Sequence, residues 1–485
     1  MALRLYNSLT RKLDELKPLV QGKVGIYVCG MTPSSNPHLG HARTFLTFDV
    51  LRRHLSAKGL AVTYVQNVTD IDDKIIDRAR KDGTSWDAVV NRFFGEYEAC
   101  AKRLGLKPPD VEPRATREIH AIVEVIAGLI ARGAAYESGD GVYFSVESDP
   151  HYGELSGQKI EDLRAGVRME VREDKRSPLD FALWKKAKPG EPTWPSPWGE
   201  GRPGWHVECS AMARRYLGDQ IDIHGGAADL IFPHHENEVA QTECFTGKHP
   251  MANIWMHAGL LMVDGQKMSK SLNNFIPLTE LLERHSTAAV RYLFLQTGYR
   301  KPTNFTEEAI DAAAKGLHGL YQELDDLRKL PSPSNVRSAG ALAPENSASQ
   351  FDAFLDDDLN TGGAVAWLQT QVRDARRKGD ASILGVVQRC LDILGLPRSA
   401  AEADLERKSA VAHLSDEARA MLRKIAGDAV SSDTALIERV IALRNVARAS
   451  KNFAQSDALR NALSRAGISV KDTPAGSEWS FDAGR

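Results

Sequence analysis

Cysteine is scarce in this chain: 485 residues carry five, Cys29, Cys100, Cys209, Cys244 and Cys390, odd in number and far apart. That spacing excludes a disulfide framework and suits a reducing compartment. An excess of charge is lacking too. The 62 Lys and Arg stand against 64 Asp and Glu, a formal balance of −2. A strongly basic, non-specific nucleic-acid binder is therefore excluded, and any nucleic-acid site must be a local face. No uninterrupted apolar run is long enough to span a bilayer, and the opening MALRLYNSLTRKLDEL has no basic-then-apolar signal pattern. A soluble, cytoplasmic protein without a membrane partner is the expectation. Internal repeats are absent as well. What remains is an ordinary globular composition, 42% hydrophobic and 26% charged, at a length that predicts several domains.

The apolar run Val24–Val28, punctuated by Gly30, predicts a buried strand. Phe45, Phe48, Leu51 and Leu55 then recur at helical spacing with Arg52, Arg53 and Lys58 between them, Gly59 closes the segment, and Ala61–Val65 reads as the next strand. Strand, helix, strand opens a doubly wound nucleotide-binding fold, whose ligands sit at the carboxyl ends of the strands. Cys29 and His38 fall there. Helical periodicity runs from Trp86 to about Arg132. Up to Gly204 the pattern is mixed, with a strand candidate at Val142–Val146 and the loop-rich KPGEPTWPSPWGEGRPGW, as expected of an insertion. Gln220–His224 and Asn253–Val263 resume the strand pattern. After Ala288 the periodicity is almost wholly helical, with a Pro/Ser/Ala/Asn-rich linker at Pro331–Gln350. From about Leu405 there are 13 Lys/Arg against 10 Asp/Glu, a net of +3. The predicted fold class is α/β: a Rossmann-like parallel-sheet domain split by an insertion, followed by a mostly α-helical C-terminal half.

Two short motifs carry chemistry. His38-Leu39-Gly40-His41 lies where a loop gives way to a helix: glycine lets a phosphate approach the backbone, helix N-terminal N–H groups favour anions, and imidazoles can donate to phosphate oxygens. Lys267-Met268-Ser269-Lys270-Ser271 follows the turn Asp264-Gly265-Gln266, and its lysines can balance the charge of a phosphate in transfer. Each alone is a weak signal. In this order within a split α/β domain they resemble the two signatures of class I aminoacyl-tRNA synthetases. GRPGWHVECSAMA, DIHGGAADLIFPHHENEVAQ, RSPLDFALWK, NVTDIDDKI and the tail KNFAQSDALRNALSRAGISVKDTPAGSEW are similar to stretches of the cysteinyl-tRNA synthetase family, so the resemblance spans essentially the whole chain.

That resemblance implies a Zn2+ site made of Cys29, Cys209, His234 and Glu238, the last two four apart and so on one helical face. In the resembled family this zinc takes the substrate's thiolate, and since a soft thiolate binds zinc far better than a hydroxyl, serine is rejected by coordination. An apolar pocket would separate such isosteres by only about 10². The implied reaction forms cysteinyl-adenylate from L-cysteine and ATP, then passes cysteine to the terminal ribose of tRNA(Cys). His38, Gly40 and His41 would hold ATP, Lys267 and Lys270 would stabilise the transition state, and Mg2+ would accompany ATP. Thr69, Trp205, His224 and Asp229 are the candidate substrate-binding residues. The implied organisation is a catalytic domain in two halves (1–115 and 204–260) around an insertion (116–203), a KMSKS-loop and stem-contact region (261–310), a helical bundle (311–404) and an anticodon-binding module (405–485), acting as a monomer.

Other clusters are discounted. Asp72 and Asp73 are read as favouring a helix start and not as a metal site with Asp70, and Asp356-Asp357-Asp358 is read as a solvated helix start. His235 is expected to point away from Glu238's helical face, and Cys100, Cys244 and Cys390 are taken as structural. One departure stands out: Thr32-Pro33-Ser34-Ser35 replaces the family's usual Thr-Val-Tyr-Asp, which alters the wall beside the substrate. Two rivals share parts of the pattern. Mycothiol cysteine ligases share the zinc site but lack the tail present here at Lys451–Trp479, and Arg43 follows HLGH in the synthetase manner. The second, a non-catalytic zinc-containing RNA-binding paralogue, is opposed by the intact lysines and ligands.

Overall fold

The computed structural model describes residues 2–162, 175–268, 274–330, 344–403, 414, 416–427, 433–450, 452–473 and 476–481. The chain opens with the antiparallel hairpin β1 (Arg4–Asn7) and β2 (Lys12–Glu15). β3 (Lys23–Val28), helix α1 (Leu39–Ala57) and β4 (Ala61–Gln66) follow. Next come α2 (Asp73–Asp82), α3 (Trp86–Arg103) and α4 (Ile119–Ala131), then a separate antiparallel sheet of β5 (Ala135–Ser138), β6 (Gly141–Phe144), β7 (Phe181–Lys186) and β8 (Gly201–Pro203). After α5 (Trp205–Leu217), β9 (Ile221–Ala227), α6 (Glu236–Thr246) and β10 (Ala252–Ala258) complete the central layer.

The central sheet runs β10-β9-β3-β4, all parallel, with Ile26 opposite Ile223 on one side and Tyr64 on the other. Val24, Ile26, Tyr27 and Val28 are all buried because helices cover both faces of a parallel sheet. α1 buries Phe45, Phe48, Leu51 and Leu55, as their spacing predicts. Between β4 and β9 the chain leaves this sheet and builds the β5–β8 layer, whose core packs Ile122, Ile126, Phe144 and Trp184 together. The order reverses at β3, so a crevice opens beyond the carboxyl ends of β3 and β9, the usual ligand position in an open α/β sheet.

Beyond β10, short strands β11 (Leu261–Val263) and β12 (Gln266–Lys267) form a hairpin. Ser269, Lys270 and Ser271 lie outside the described residues. Helix α7 (Thr287–Leu295) precedes β13 (Thr303–Phe305), which joins β11 in parallel and interrupts the helical reading of this half. Then come α8 (Glu307–Arg328), α9 (Pro344–Asp356), α10 (Thr361–Lys378) and α11 (Leu384–Leu394). Of the expected linker, 331–343 lies outside the described residues, and from Pro344 the chain is helical. The Asp356–Asp358 expectation is corrected: the triplet ends α9. Asp356 is buried against His54 Nε2 (2.9 Å) and Lys58 Nζ (2.6 Å), Asp357 pairs with Arg4, and Asp358 accepts from the Tyr6 amide and the Tyr299 hydroxyl. Its partners come from distant parts of the chain, so local sequence carries no sign of them.

The chain divides into two compact units, one of Met1–Thr279 with Thr287–Ala403 and the other of Glu280–Ser286 with Asp404–Arg485. In the second, α12 (Asp416–Ala426), α13 (Asp433–Ala449) and α14 (Phe453–Arg465) pack Leu422, Ile437, Val440 and Leu463 together, and an antiparallel hairpin, β14 (Ile468–Thr473) and β15 (Gly476–Phe481), departs from the helical expectation. Among the described residues no helix is long and apolar enough to cross a membrane.

Candidate active site and metal centre

Cys29 is the first residue past β3, and its amide donates to the carbonyl of Gly225 on β9 (3.1 Å), which fixes it at the mouth of the crevice. Gly30 follows because nothing larger fits: a Cβ there would meet the Asn67 carbonyl oxygen at 1.7 Å. The Gly30 amide donates to Asn67 Oδ1 (2.9 Å). Cys209 comes from α5, Glu238 from the first turn of α6, and His234 from the turn just before it. Cys29 Sγ lies 3.7 Å from Cys209 Sγ, 3.5 Å from His234 Nε2 and 3.3 Å from Glu238 Oε1, and His234 Nε2 is 3.0 Å from Glu238 Oε1. All four residues are buried, and their donor atoms lie within 4.8 Å of one another.

Burial pushes both thiols and the Glu238 carboxyl up and the His234 imidazole down. In Cys29 the neighbouring Cys209 and Glu238 add to the effect. Two thiolates and a carboxylate cannot share a dry pocket without a compensating positive charge. This donor set therefore fits a borderline-soft divalent cation, which would hold the thiols deprotonated.

A second grouping, Cys29 with His224, His235 and Glu238, also meets the distance for a metal. It corrects the expectation for His235: its Nε2 lies 3.9 Å from Glu238 Oε1. The turn Ile231–His235 is not a regular helix, because Phe232 is extended (φ −136°, ψ 132°), and residues three apart meet across it. The first grouping alone joins both thiols. His224 bonds Glu238 Oε2 from behind (2.8 Å), and His235 continues through His257 (2.8 Å) to Ser8 (2.7 Å) as a buried imidazole chain. His206, unassigned from sequence, sits with its Nδ1 2.9 Å from His234 Nδ1, and burial holds its imidazole down to about 3. Its spacing of three from Cys209 on α5 was the available signal.

The same cleft, about 760 Å³, runs from Cys29, Cys209 and His234 to His38, Gly40, His41 and Lys267. His38 caps α1, its amide meeting His41 Nδ1 (3.2 Å), and the two rings stack at 3.7 Å. Trp205 stacks on His234 (4.3 Å, 16° between planes) and walls the cleft beside the thiols. Thr69, buried and held by Asn67 Nδ2 (3.2 Å), also lines it, as does exposed Asp229. The structure places His224 behind Glu238, away from the cleft lining. Ser34 and Ser35 leave small hydroxyl side chains at the wall. The discounted acids are engaged elsewhere: Asp70 accepts from Thr116, Asp72 caps α2, and Asp73 binds Lys185 and Arg202. Cys100, Cys244 and Cys390 join neither metal grouping.

The parallel sheet reversing at β3, the His-Leu-Gly-His turn and the lysine-bearing hairpin across one cleft define a class I tRNA synthetase, and residues 15–315 match the family model of the tRNA synthetases class I (C) catalytic domain. The fold is similar to that of Mycobacterium tuberculosis methionyl-tRNA synthetase in complex with methionyl-adenylate (TM-score 0.60, 16% identity, 80% of this chain and 93% of that one). Sequence similarity narrows the class. Cysteine–tRNA ligases of Alkalilimnicola ehrlichii and Halorhodospira halophila are each 45% identical, and that of Shewanella sediminis 43%, over 98% of this chain and 99% of each relative. The chain belongs to the cysteine–tRNA ligase family.

Proposed function

We propose that the protein is a cysteine–tRNA ligase that forms cysteinyl-adenylate from L-cysteine and ATP and transfers cysteine to the 3′ end of tRNA(Cys), in the cytoplasm and as a monomer. The observation that carries this reading is one cleft lined by two thiols and an imidazole at one end and by the His38–His41 turn at the other. Zn2+ held by Cys29, Cys209, His234 and Glu238 would supply a soft Lewis acid that favours a thiolate over a hydroxyl. Trp205 holds the His234 ring and closes the cleft beside the thiol, while Thr69 and Asp229 are assigned to the substrate's amino and carboxylate groups.

His38 and His41 would donate to the phosphates at the N-terminus of α1, Gly40 gives them close approach, and Mg2+ would accompany ATP. A carboxylate oxygen of cysteine attacks the α-phosphorus and the bond to pyrophosphate breaks. Lys267 and Lys270 balance the charge that spreads over the phosphate oxygens. The ribose hydroxyl of tRNA then attacks the carbonyl carbon, and AMP departs. No protein nucleophile is needed. His224 is assigned here to orienting Glu238. Residues 116–203 are assigned as the insertion and 405–485 as the anticodon-binding module, supported by the separate β5–β8 sheet and the compact second unit.

The test is ATP–pyrophosphate exchange by the purified chain with and without zinc. Exchange that requires both cysteine and zinc, followed by charging of tRNA, is the expected result. Its absence from zinc-loaded protein would sink the reading, and transfer to an amino sugar in place of tRNA would favour the mycothiol-type rival.

A further inference from the structure

Arg43 lies two residues past His41 and is 3% exposed. Its Nη1 donates to the carbonyls of Gly259 and Leu260, both at 2.7 Å, and its Nη2 to those of Tyr299 (3.1 Å) and Lys301. No carboxylate among the described residues offsets its charge: burial alone acts on the guanidinium and pushes it down to about 10. Taking a cation out of water is costly unless dipoles replace the lost solvent. Here four backbone carbonyls do so, and they belong to two segments with one destination. Gly259 and Leu260 are where the chain leaves β10 for β11, and Tyr299–Lys301 leads into β13, the parallel neighbour of β11. β11 in turn pairs with β12, which ends at Lys267. The crossing is tight: the Gly259 amide donates to the Tyr299 carbonyl (2.8 Å), and a Cβ at 259 would meet the Arg300 carbonyl oxygen at 2.4 Å. The far end of the lysine-bearing segment returns to the same turn, where the Leu39 amide meets the Ile276 carbonyl (3.3 Å) and the Leu278 amide meets the Pro37 carbonyl (2.8 Å).

We infer that Arg43 is a positioning residue for adenylate formation: it clamps the start of α1 to the foot of the β11–β12 hairpin and so fixes how the His38–His41 turn faces Lys267. The inference rests on the activity proposed above. A planar guanidinium can serve two pairs of carbonyls from one plane, whereas an ammonium has three donors on a single point. Arg43→Lys therefore keeps the charge and loses the clamp.

A double-mutant cycle on the full, metal-loaded chain, read by cysteine-dependent ATP–pyrophosphate exchange, tests this. Arg43→Lys should lower kcat by about 10–100-fold, the scale of a small misplacement, with the KM for cysteine within about twofold and metal content unchanged. In a Lys267→Ala background the same substitution should cost less than about threefold, because the group it positions is gone. Gly259→Ala, which disturbs the clamp from the opposite side, should show the same non-additivity and provides the measurement if Arg43→Lys does not fold. Losses that multiply in the double variants would overturn the inference, as would a parallel loss of metal or of cysteine affinity. An unaltered chain without exchange overturns instead the activity on which it rests.

Discussion

At the scale of single residues, the centre is an arrangement of groups that oppose one another until a cation joins them. Two thiols, one carboxyl and one imidazole share a dry space within 4.8 Å, and burial drives each toward its neutral form. Cys209→Ser should reduce bound zinc to a small fraction of one per chain by metal analysis, since a neutral hydroxyl is a poor ligand for a borderline-soft ion. His206 Nδ1 meets His234 Nδ1, the ring nitrogen away from Cys29, and is placed to hold that imidazole's orientation. His206→Ala should weaken metal affinity by about 10–100-fold in a competitive chelator titration, and an unchanged affinity would remove it from this role. The four donors were named through the family resemblance of the stretches that carry them, since Cys29 and Cys209 stand 180 positions apart and no local spacing joins them; the structure brings their donor atoms within 4.8 Å. His206 and the buried chain His235–His257–Ser8 were not, because a histidine in an apolar segment acquires meaning only from what packs beside it.

At the scale of elements, α1 ties the cleft to the helices that follow it. Its first turn faces the cleft, and its middle carries Asp49, which accepts from Arg53 Nε (2.8 Å) and from the Lys107 amide (3.0 Å) and pairs with fully buried Arg291 of α7. Arg291 also donates to the Leu394 carbonyl (2.6 Å) and the Leu104 carbonyl (3.0 Å), so one side chain joins α7, α11 and the end of α3. Asp49→Asn would leave a buried guanidinium without its carboxylate, and urea unfolding should show a loss of about 3–5 kcal/mol. Burial raises the Asp49 carboxyl, but Arg291 and Arg53 outweigh it and hold the group below its ordinary range. The sign follows: its contribution is complete above the unfolded value of about 3.9 and is lost as pH falls through the lower folded value, so the variant should flatten acid unfolding below about pH 4. The long elements, β3, α1, β4, β9 and β10, were readable from apolar runs because a two-faced core imposes such runs. β11 was read only as the tail of the Asn253–Val263 run, and β12, β13 and the β14–β15 hairpin were not read, because two- and three-residue strands and the polar sequences ISVKDT and GSEWSF carry no apolar run, while the end of α9 depends on partners far away in sequence.

At the scale of the whole molecule, chemistry and the basic tail fall in different compact units. Activation involves small molecules in the first unit, whereas a tRNA must also meet charged surface, such as the net +3 of the chain from Leu405 onward. Raising salt from about 50 to 200 mM should therefore weaken tRNA charging steeply through KM, by counterion release, while cysteine-dependent exchange changes by less than about threefold. Equal sensitivity of the two reactions would argue against a separate electrostatic contribution from tRNA. The four-donor cluster has a further consequence at this scale. Its thiols are 180 positions apart, and its carboxylate comes later still, at 238. During synthesis, the emerging polypeptide can close the full set of donors only after nearly half its length has left the ribosome. Captured zinc would thus act as a late fastener, recording that two widely separated stretches have already found each other.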